Sequence, residues 1–289
     1  MIIVVAPGPR ALLQDLGRPG QAALGVSRSG AADRAASRLA NRLIGNPVEA
    51  AVIETVLGGL IVEAAAPHWV AITGAARRVI IDGLEQSSHA PIRLPRGARL
   101  ELPAPETGLC SYLAVRGGFA VEPVLGSRSH DTLAGLGPAP LKADQRLPVG
   151  APAGPWPGVD LASPRPRSGT LRIDPGPRRD WFTAAAWELL ITTEWRVGTA
   201  VDRVGVRLDG PALPRSRTDE LPSEGLIRGA IQVPADGHPL IFGPDHPVTG
   251  GYPVIAVVRG ADLDATAQLR PGDPLRLVRT EKPPGTTQF

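Results

Sequence analysis

The sequence contains one cysteine, two lysines and few aromatic residues, and each scarcity excludes a class of protein. Cys110 alone cannot build an internal disulfide framework or a thiolate metal cage, which fits a reducing compartment. The basic residues are nearly all arginines, scattered among acidic ones, and the net charge is +3. Aromatic residues make up 4% of the chain, which is few for stacking on bases. We therefore expect no nucleic-acid partner.

Long hydrophobic runs are also missing. No apolar stretch approaches the roughly 20 residues that a membrane-spanning helix needs. Residues 1–5 (MIIVV) have no basic leader and end before Pro7-Gly8, so they predict a strand rather than a signal peptide. His238 and His246 lie eight residues apart without a further His or Cys at ligand spacing, so no metal site is predicted. These features predict a soluble, cytoplasmic protein without membrane contact.

Glycine and proline are abundant, and they separate short apolar runs. The chain has 34 glycines and 32 prolines, which interrupt apolar runs at residues 51–56, 59–62, 69–73, 78–81, 100–102 and 112–115. Regular short strands between such turns are typical of a β-barrel or β-sandwich. At 289 residues and 43% hydrophobic, the chain is long enough for two domains. We predict a mainly β protein with a few helices.

Two segments carry a helical pattern. The apolar residues of segment 31–44 fall on one face, Ser29 is the expected N-cap and Gly45 the expected end. A second helix is predicted over residues 180–190. Between residues 148 and 169, proline and glycine leave no room for a regular element. The predicted domains are therefore residues 1–150 and 169–289, joined by a linker over residues 151–168.

The two halves echo each other. Pro7-Gly8-Pro9-Arg10 recurs as Pro175-Gly176-Pro177-Arg178, and Asp-Arg-x-x-x-Arg-Leu occurs at residues 33–39 and 202–208. Each half closes with a similar segment, at residues 94–100 and 269–275. Several weak matches in one order favour an internal duplication. The first copy of Asp-Arg-x-x-x-Arg-Leu lies in a helical pattern, whereas the second has an extended one.

The run Thr249-Gly250-Gly251-Tyr252-Pro253 predicts a loop between two strands. Adjacent glycines permit positive φ and let a ligand approach the backbone closely. Pro253 fixes the exit of the loop, and Tyr252 supplies an amphipathic wall. The alternative interpretation is a tight turn that binds nothing.

Several longer motifs resemble one known family. They are residues 13–20 (LQDLGRPG), 29–33 (SGAAD), 39–46 (LANRLIGN), 125–129 (LGSRS), 141–144 (LKAD), 202–208 (DRVGVRL), 223–225 (SEG), 229–234 (GAIQVP) and 249–253 (TGGYP). Over residues 3–279, the chain resembles the KipA family, also called the biotin-dependent carboxyltransferase-like or allophanate hydrolase subunit 2 family. This family includes the C subunit of bacterial 5-oxoprolinase.

The resemblance implies a fold, partners and an activity. It implies two cyclophilin-like β-barrel domains, and the implied partners are the KipI-like and LamB-like subunits of 5-oxoprolinase. The first implied activity is ATP-dependent opening of 5-oxoproline, a small-molecule substrate, to glutamate, which makes the chain part of a hydrolase. The alternatives are carboxyl transfer from carboxybiotin to a small amide such as urea, and a regulatory subunit that binds the KipI-like partner without catalysis.

Site residues follow from this chemistry. Opening a lactam requires activation of the amide, which ATP can supply by phosphorylating the carbonyl oxygen, and then attack by water with a general base. The candidate bases are Glu224, Asp245 and His246. Arginine forks and backbone N–H groups bind anionic substrates. The predicted substrate-binding residues are Asp202, Arg203, Arg207, Gln232, Thr249, Gly250, Gly251 and Tyr252.

Each candidate also has a structural interpretation. Arg203 and Asp202 can pair on the surface, Glu224 can hold a turn, and His246 before Pro247 can be a loop residue. In the first half, Asp15, Arg18, Asp33 and Arg128 either tie loops together or contact a partner subunit. The sequence departs from the family pattern at Ala200-Val201 and at residues 245–248 (DHPV), both beside the predicted site.

The sequence contains no recognisable cofactor-binding motif. It contains neither the Gly-x4-Gly-Lys-Ser/Thr motif nor a dinucleotide fingerprint. ATP is therefore expected at a different kind of surface, shared with partner subunits, and the chain is expected to be active only in a complex. No lysine stands in a biotin-attachment setting, so biotin in the alternative activity would be carried by a second protein.

Overall fold

The computed structural model of the chain describes residues 1–164 and 168–280. The chain divides into two compact units, the first being Met1–Pro166 with Thr266–Leu269 and the second Arg167–Ala265 with Arg270–Phe289. Of the predicted linker, residues 165–167 lie outside the described residues. Residues 151–164 contain neither helix nor strand, in agreement with their composition. Trp156 in this segment packs against Trp69, with ring centroids 4.7 Å apart.

The first unit consists of two antiparallel sheets. One has the order β11-β1-β4-β9-β6-β7 and the other β2-β3-β10-β5-β8. Their strands are β1 (Ile2–Pro7), β2 (Arg10–Gln14), β3 (Val52–Val56), β4 (Leu60–Ala64), β5 (His68–Gly74), β6 (Arg78–Ile81), β7 (Leu84–Ser87), β8 (Pro91–Leu94), β9 (Arg99–Leu102), β10 (Cys110–Val115) and β11 (Arg146–Leu147).

One hydrophobic core lies between these sheets. It takes alternate residues of the strands, for example Leu60, Val62 and Ala64 of β4 and Leu100 and Leu102 of β9, all of them buried. This alternation is what a strand with one covered face requires. The apolar runs that the glycines and prolines separate in the sequence therefore build this core. On the opposite faces of their strands, Val52, Ala71, Tyr112 and Ala114 belong to a second buried cluster with Ala36, Ala40 and Leu43.

Helix α1 (Arg34–Leu43) lies against β5 and β10. It begins later than predicted, because Asp33 rather than Ser29 is the N-cap and accepts a hydrogen bond from the Ala36 backbone N–H at 2.8 Å. Ser29 has a φ of 55°, which is incompatible with the cap that was predicted. Gly45 follows the helix with a φ of 66° and provides the expected C-terminal stop.

Asp15 ties the loops of the first unit together. Its carboxylate accepts hydrogen bonds from the hydroxyls of Ser127 and Ser129, each at 2.6 Å, and from the backbone N–H of Arg128 at 2.6 Å and of Gly17 at 2.7 Å. Of the two roles considered for Asp15, the structure shows this loop-tying one.

The second unit is a closed barrel with the strand order β12-β19-β16-β17-β14-β13-β20. The circle closes where β20 pairs with β12 in parallel. Its strands are β12 (Thr170–Pro175), β13 (Glu194–Val201), β14 (Gly205–Asp209), β16 (Ala230–Gln232), β17 (Leu240–Phe242), β19 (Val254–Val258) and β20 (Pro274–Arg279); β15 (Glu224–Gly225) and β18 (Thr249–Gly250) form a separate ladder.

The helices of the second unit are short. The segment predicted as one helix is a 3₁₀ turn at Arg179–Trp181 followed by α2 (Ala184–Thr192), whose N-cap is Thr183. Helix α3 (Leu263–Thr266) is a single turn. Among the described residues, no helix has both the length and the apolar character that crossing a membrane requires.

Two of the echoed motifs occupy equivalent places, and one does not. Pro-Gly-Pro-Arg follows the first strand of each unit, since β1 ends at Pro7 and β12 at Pro175. The closing segments both turn at a glycine with positive φ, Gly97 at 79° and Gly272 at 87°, before a strand. Asp-Arg-x-x-x-Arg-Leu, in contrast, starts helix α1 in the first unit, whereas in the second it forms the turn at Asp202 and most of strand β14. The prediction of a mainly β fold with few helices is confirmed.

Candidate functional site

The predicted loop at residues 249–253 takes part in a two-stranded antiparallel ladder, called the hairpin below although its strands are not consecutive in the chain. Strand β18 pairs antiparallel with β15, so that Glu224 lies opposite Gly250 and Gly225 opposite Thr249. The Leu226 backbone N–H extends this pairing by donating to the Val248 carbonyl at 2.8 Å. The pairing brings Glu224 and the diglycine together, although Thr249 lies 25 positions beyond Glu224 in the sequence.

Position 250 favours glycine for space and not for backbone conformation. Neither Gly250 nor Gly251 has a positive φ, which corrects the expectation drawn from the sequence. A Cβ at Gly250 would lie 2.7 Å from Leu226 Cδ1 and 2.9 Å from Gln232 Nε2. At Gly251 the nearest atom would be 3.4 Å away. Close packing of the backbone on its neighbours therefore explains the first glycine only.

Residues of the barrel pack against this hairpin and form hydrogen bonds with it. Leu226 packs with Ala230, Phe242 and Val254 in one buried cluster. The Gln232 side-chain amide donates to the Tyr252 carbonyl at 2.8 Å. The Val233 backbone N–H donates to the Pro253 carbonyl at 3.1 Å. These contacts fix the hairpin on the strands β16, β17 and β19.

Tyr252 displays its ring at the surface beside an arginine. Its side chain is 48% exposed. The guanidinium carbon of Arg215 lies 5.8 Å from the ring centroid, within the range of a cation–π contact. Arg215 also donates from Nη2 to the Val233 carbonyl. An aromatic face and a guanidinium group thus adjoin each other at the hairpin.

Glu224 is held by Arg178, the last residue of the second Pro-Gly-Pro-Arg motif. Arg178 Nε lies 2.9 Å from Oε1 and 3.0 Å from Oε2 of the carboxylate. These hydrogen bonds hold the pKa of Glu224 below its ordinary value of 4.5. Glu224 is therefore ionised at neutral pH.

Gly176 in the same motif lets two backbone segments approach closely, since a Cβ there would lie 2.4 Å from the Val254 carbonyl oxygen.

Arg203 and Asp245 form a buried ion pair. Arg203 Nε donates to Oδ2 at 2.8 Å, and Nη2 donates to Oδ1 at 2.9 Å. The two side chains are 1% and 0% exposed. The Asp245 backbone N–H also donates to the Arg203 carbonyl at 2.9 Å. In this arrangement the pair fixes the loop that precedes β18, and neither charged group reaches solvent.

His246 follows this pair and is 9% exposed. Its Nδ1 lies 2.8 Å from the Pro247 carbonyl oxygen. Because a carbonyl only accepts, this contact assigns the ring proton of the neutral imidazole to Nδ1 and leaves Nε2 as the basic nitrogen. The ring centroid lies 6.3 Å from that of Phe242, which belongs to the cluster under the hairpin.

Asp202 and Arg207 lie in other settings. Asp202 accepts hydrogen bonds from the backbone N–H groups of Val204 at 2.8 Å and Gly205 at 3.0 Å, so it shapes the turn into β14. The pairing of Asp202 with Arg203 that the sequence suggested is replaced by the Arg203–Asp245 pair. Arg207 forms an ion pair with Asp236.

The predicted residues thus fall into separate groups. The hairpin unites Glu224, Gln232, Thr249, Gly250, Gly251 and Tyr252; Arg203, Asp245 and His246 lie at the loop before it; Asp202 and Arg207 stand apart. Arg178 and Arg215 belong beside the hairpin but were not predicted. The repeat of Pro-Gly-Pro-Arg gave a signal for Arg178, whereas Arg215 has none in its local sequence. Within the described residues, no three His, Cys, Asp or Glu side chains are grouped to hold a metal ion.

Comparison with known proteins gives consistent matches over the chain. A family model for the carboxyltransferase domain, subdomain A and B, matches residues 24–279. The chain is 36% identical to the 5-oxoprolinase C subunit of Escherichia coli, over 96% of this chain and 91% of that one. The corresponding protein of Haemophilus influenzae is 32% identical, with 96% and 90% covered. Urea amidolyase of Saccharomyces cerevisiae is 30% identical over 96% of this chain but only 16% of its own length.

Solved structures agree with these matches. The crystal structure of TTHA0988 superposes with a TM-score of 0.87 at 35% identity, covering 97% of this chain and 55% of that one. The chain thus spans about half the length of TTHA0988. The crystal structure of K. lactis urea amidolyase gives a TM-score of 0.89 at 28% identity, covering 97% of this chain and 19% of that one.

Proposed function

The chain belongs to the family of the carboxyltransferase domain, subdomain A and B, and from this premise we propose that it is the C subunit of a 5-oxoprolinase. The observation that carries the proposal is the 36% identity to the E. coli protein of that name across nearly the full length of both chains. The proposed reaction is the ATP-dependent opening of 5-oxoproline to glutamate. The proposed site is the hairpin formed by β15 and β18 with the residues that support it.

The geometry favours His246 over the two carboxylates as general base. Arg178 holds Glu224 ionised with a lowered pKa, which makes it a weak base at neutral pH. Asp245 is buried with both oxygens bound to Arg203. The neutral His246 ring directs its Nδ1 proton at a carbonyl, so we assign to Nε2 the role of accepting a proton from water. We assign Glu224 the role of holding Arg178 and the hairpin in place.

The hairpin suits a small ring with one anionic group. The exposed face of Tyr252 offers a surface for a five-membered ring, and backbone groups of residues 249–252 lie beside it. The sequence contains no Gly-x4-Gly-Lys-Ser/Thr phosphate-binding motif. We therefore assign ATP largely to the partner subunits; when bound, it would activate the amide carbonyl by phosphorylation.

The proposal includes partners and a location. The relatives are named as one subunit of an enzyme, which supports a complex of several subunits. We propose KipI-like and LamB-like subunits as the partners and activity only in the assembled complex. A cytoplasmic location follows from the proposed use of ATP and from the single cysteine.

The test is reconstitution with the cognate subunits. ADP release is measured with and without 5-oxoproline, for the wild-type chain and for Tyr252→Ala and Asp202→Ala. We expect release that depends on 5-oxoproline and is lowered by Tyr252→Ala. ADP release by Asp202→Ala shows whether the turn that Asp202 forms is needed for activity. A complex that forms but never couples ADP release to 5-oxoproline contradicts the proposal.

Carboxyl transfer is the second candidate, favoured by the family description and by the likeness to urea amidolyase. In this activity a carboxyl group would pass from carboxybiotin, carried by another protein, to a small amide such as urea. The same preparation, supplied with carboxybiotin and urea, discriminates between the two reactions. If neither substrate is turned over while the chain binds its partner tightly, regulation of that partner is the remaining function.

A further inference from the structure

Arg215 differs from its neighbours in having no acidic partner. In the second unit, the arginines at positions 172, 178, 203, 207, 217, 228, 259 and 276 each form an ion pair with a carboxylate. Within the described part of the chain, no carboxylate lies within ion-pair distance of Arg215. Arg179, Arg196 and Arg279 also lie outside these ion pairs, but they are exposed, whereas Arg215 is half-buried. Arg215 is therefore a half-buried cation whose charge needs an explanation.

This unpaired cation is partly removed from water. Arg215 is half-buried, and its Nε is buried without a hydrogen-bond partner among the described residues. Withdrawing a charged group from solvent costs free energy unless an opposite charge or hydrogen bonds compensate. The carbonyl of Val233 and the ring of Tyr252 compensate only in part, because neither carries a full negative charge. The position therefore favours an external anion.

The same two contacts fix where the guanidinium lies. Nη2 bonds to Val233, whose backbone N–H binds the Pro253 carbonyl, so Arg215 is tied to the end of the hairpin. The Tyr252 ring lies beside the guanidinium carbon at 5.8 Å. Because Nε is buried and Nη2 already bonds to Val233, an external carboxylate would meet Nη1 together with the remaining N–H of Nη2.

From these observations we propose that Arg215 forms a carboxylate-binding subsite. In this subsite, Arg215 binds the carboxylate of the substrate while Tyr252 packs against the ring of the substrate. The proposal rests on the proposed function, because 5-oxoproline is a five-membered lactam with one carboxylate. It adds a specificity determinant that the hairpin residues alone do not supply.

The test compares two ligands that differ by one group. Binding of 5-oxoproline and of 2-pyrrolidinone, the same ring without its carboxylate, is measured by calorimetry on the full chain in its complex. Arg215→Gln removes the charge and, because its side chain is two bonds shorter, also loses the hydrogen bond to the Val233 carbonyl. Arg215→Lys keeps the charge without the fork. Arg217→Ala is the matched control, since this neighbouring arginine pairs with Asp180 and stacks on Trp181.

The wild-type complex should bind 5-oxoproline more tightly than 2-pyrrolidinone. Arg215→Gln should weaken 5-oxoproline binding by roughly tenfold to a hundredfold, the usual loss for a charge-assisted hydrogen bond, and should leave 2-pyrrolidinone unchanged. Arg215→Lys should bind 5-oxoproline with an affinity between those of the wild type and Arg215→Gln. Arg217→Ala should bind both ligands as the wild type does. Thermal unfolding of each variant identifies any loss that comes from misfolding.

The subsite and the enzymatic function fail in different ways. Equal binding of the two ligands by the wild type, or an unchanged preference in Arg215→Gln, overturns the subsite even if the complex turns over 5-oxoproline. Conversely, an Arg215-dependent preference for the carboxylate, in a complex that releases no ADP with 5-oxoproline, supports the subsite and contradicts the hydrolase.

Discussion

Arg203 and Asp245 bind each other through two parallel hydrogen bonds, 2.8 and 2.9 Å long, in a position that solvent does not reach. Removing one partner of such a pair leaves the other charge buried and uncompensated. The loop that leads into the hairpin of the proposed site therefore depends on both residues.

Asp245→Ala should lower the free energy of unfolding by about 3–5 kcal/mol. Asp236→Ala is the control, because its pair with Arg207 is 33% and 49% exposed and should cost less than about 1 kcal/mol. Urea denaturation of both variants measures the difference. Equal losses of unfolding free energy would show that the buried Arg203–Asp245 pair contributes no more to stability than the exposed pair.

Gly250→Ala should disturb the hairpin, because its Cβ would meet Leu226 at 2.7 Å and Gln232 at 2.9 Å. Overpacking of this kind costs about 1–3 kcal/mol. Gly251→Ala, with its nearest neighbour at 3.4 Å, should change stability by less than about 0.5 kcal/mol. The two variants are compared by thermal unfolding and by binding of 5-oxoproline in the complex. Indistinguishable behaviour of the two would contradict the packing role assigned to Gly250.

Tyr112 should make the protein sensitive to alkali. Burial, and then the negative charge of Glu54, raise its pKa well above the ordinary value of 10.0. The folded state thus favours the neutral phenol, so its contribution to stability is complete below pH 10.0 and decreases as the pH rises beyond that value.

Tyr112→Phe tests this dependence. The variant loses the hydroxyl that donates to Glu54 at 2.9 Å and accepts from the Asp33 backbone N–H at 2.7 Å. We expect it to be less stable at neutral pH by about 1–3 kcal/mol and to lose less stability than the wild type above pH 10.0. Parallel curves of unfolding free energy against pH for the two proteins would contradict this account.

The pair of Arg178 and Glu224 should respond to acid. The pKa of Glu224 is lowered from 4.5 by its hydrogen bonds to Arg178, so its contribution is present above pH 4.5 and disappears as the pH falls through the lowered value. Glu224→Gln should therefore be less stable than the wild type at neutral pH, and the difference should vanish in acid. A difference that persists unchanged at low pH would show that the charge of Glu224 is not its source.

The general fold could be predicted from the sequence, but the packing around the site could not. Spacing of apolar residues predicted α1, yet it could not choose between Ser29 and Asp33 as its cap, because the choice depends on φ at Ser29. The diglycine was recognised as special, although the reason is contact with Leu226 and Gln232 rather than positive φ.

Long-range pairs explain most of what the sequence missed. The structural alternative for Arg203 paired it with its neighbour Asp202, whereas its partner Asp245 lies 42 positions away. Arg215 adjoins Tyr252 only because β16 and the hairpin bring their segments together. Contacts of this kind arise from barrel closure and leave no local pattern.

The central claim is that this chain, through the hairpin and Tyr252, makes a complex act on 5-oxoproline. The most direct measurement is the kcat/KM for 5-oxoproline-dependent ADP release in complexes that contain the wild-type chain, Tyr252→Ala or no such chain. We predict full activity with the wild type, at least about a tenfold loss for Tyr252→Ala and none without the chain. Activity that is the same in all three complexes would contradict the claim.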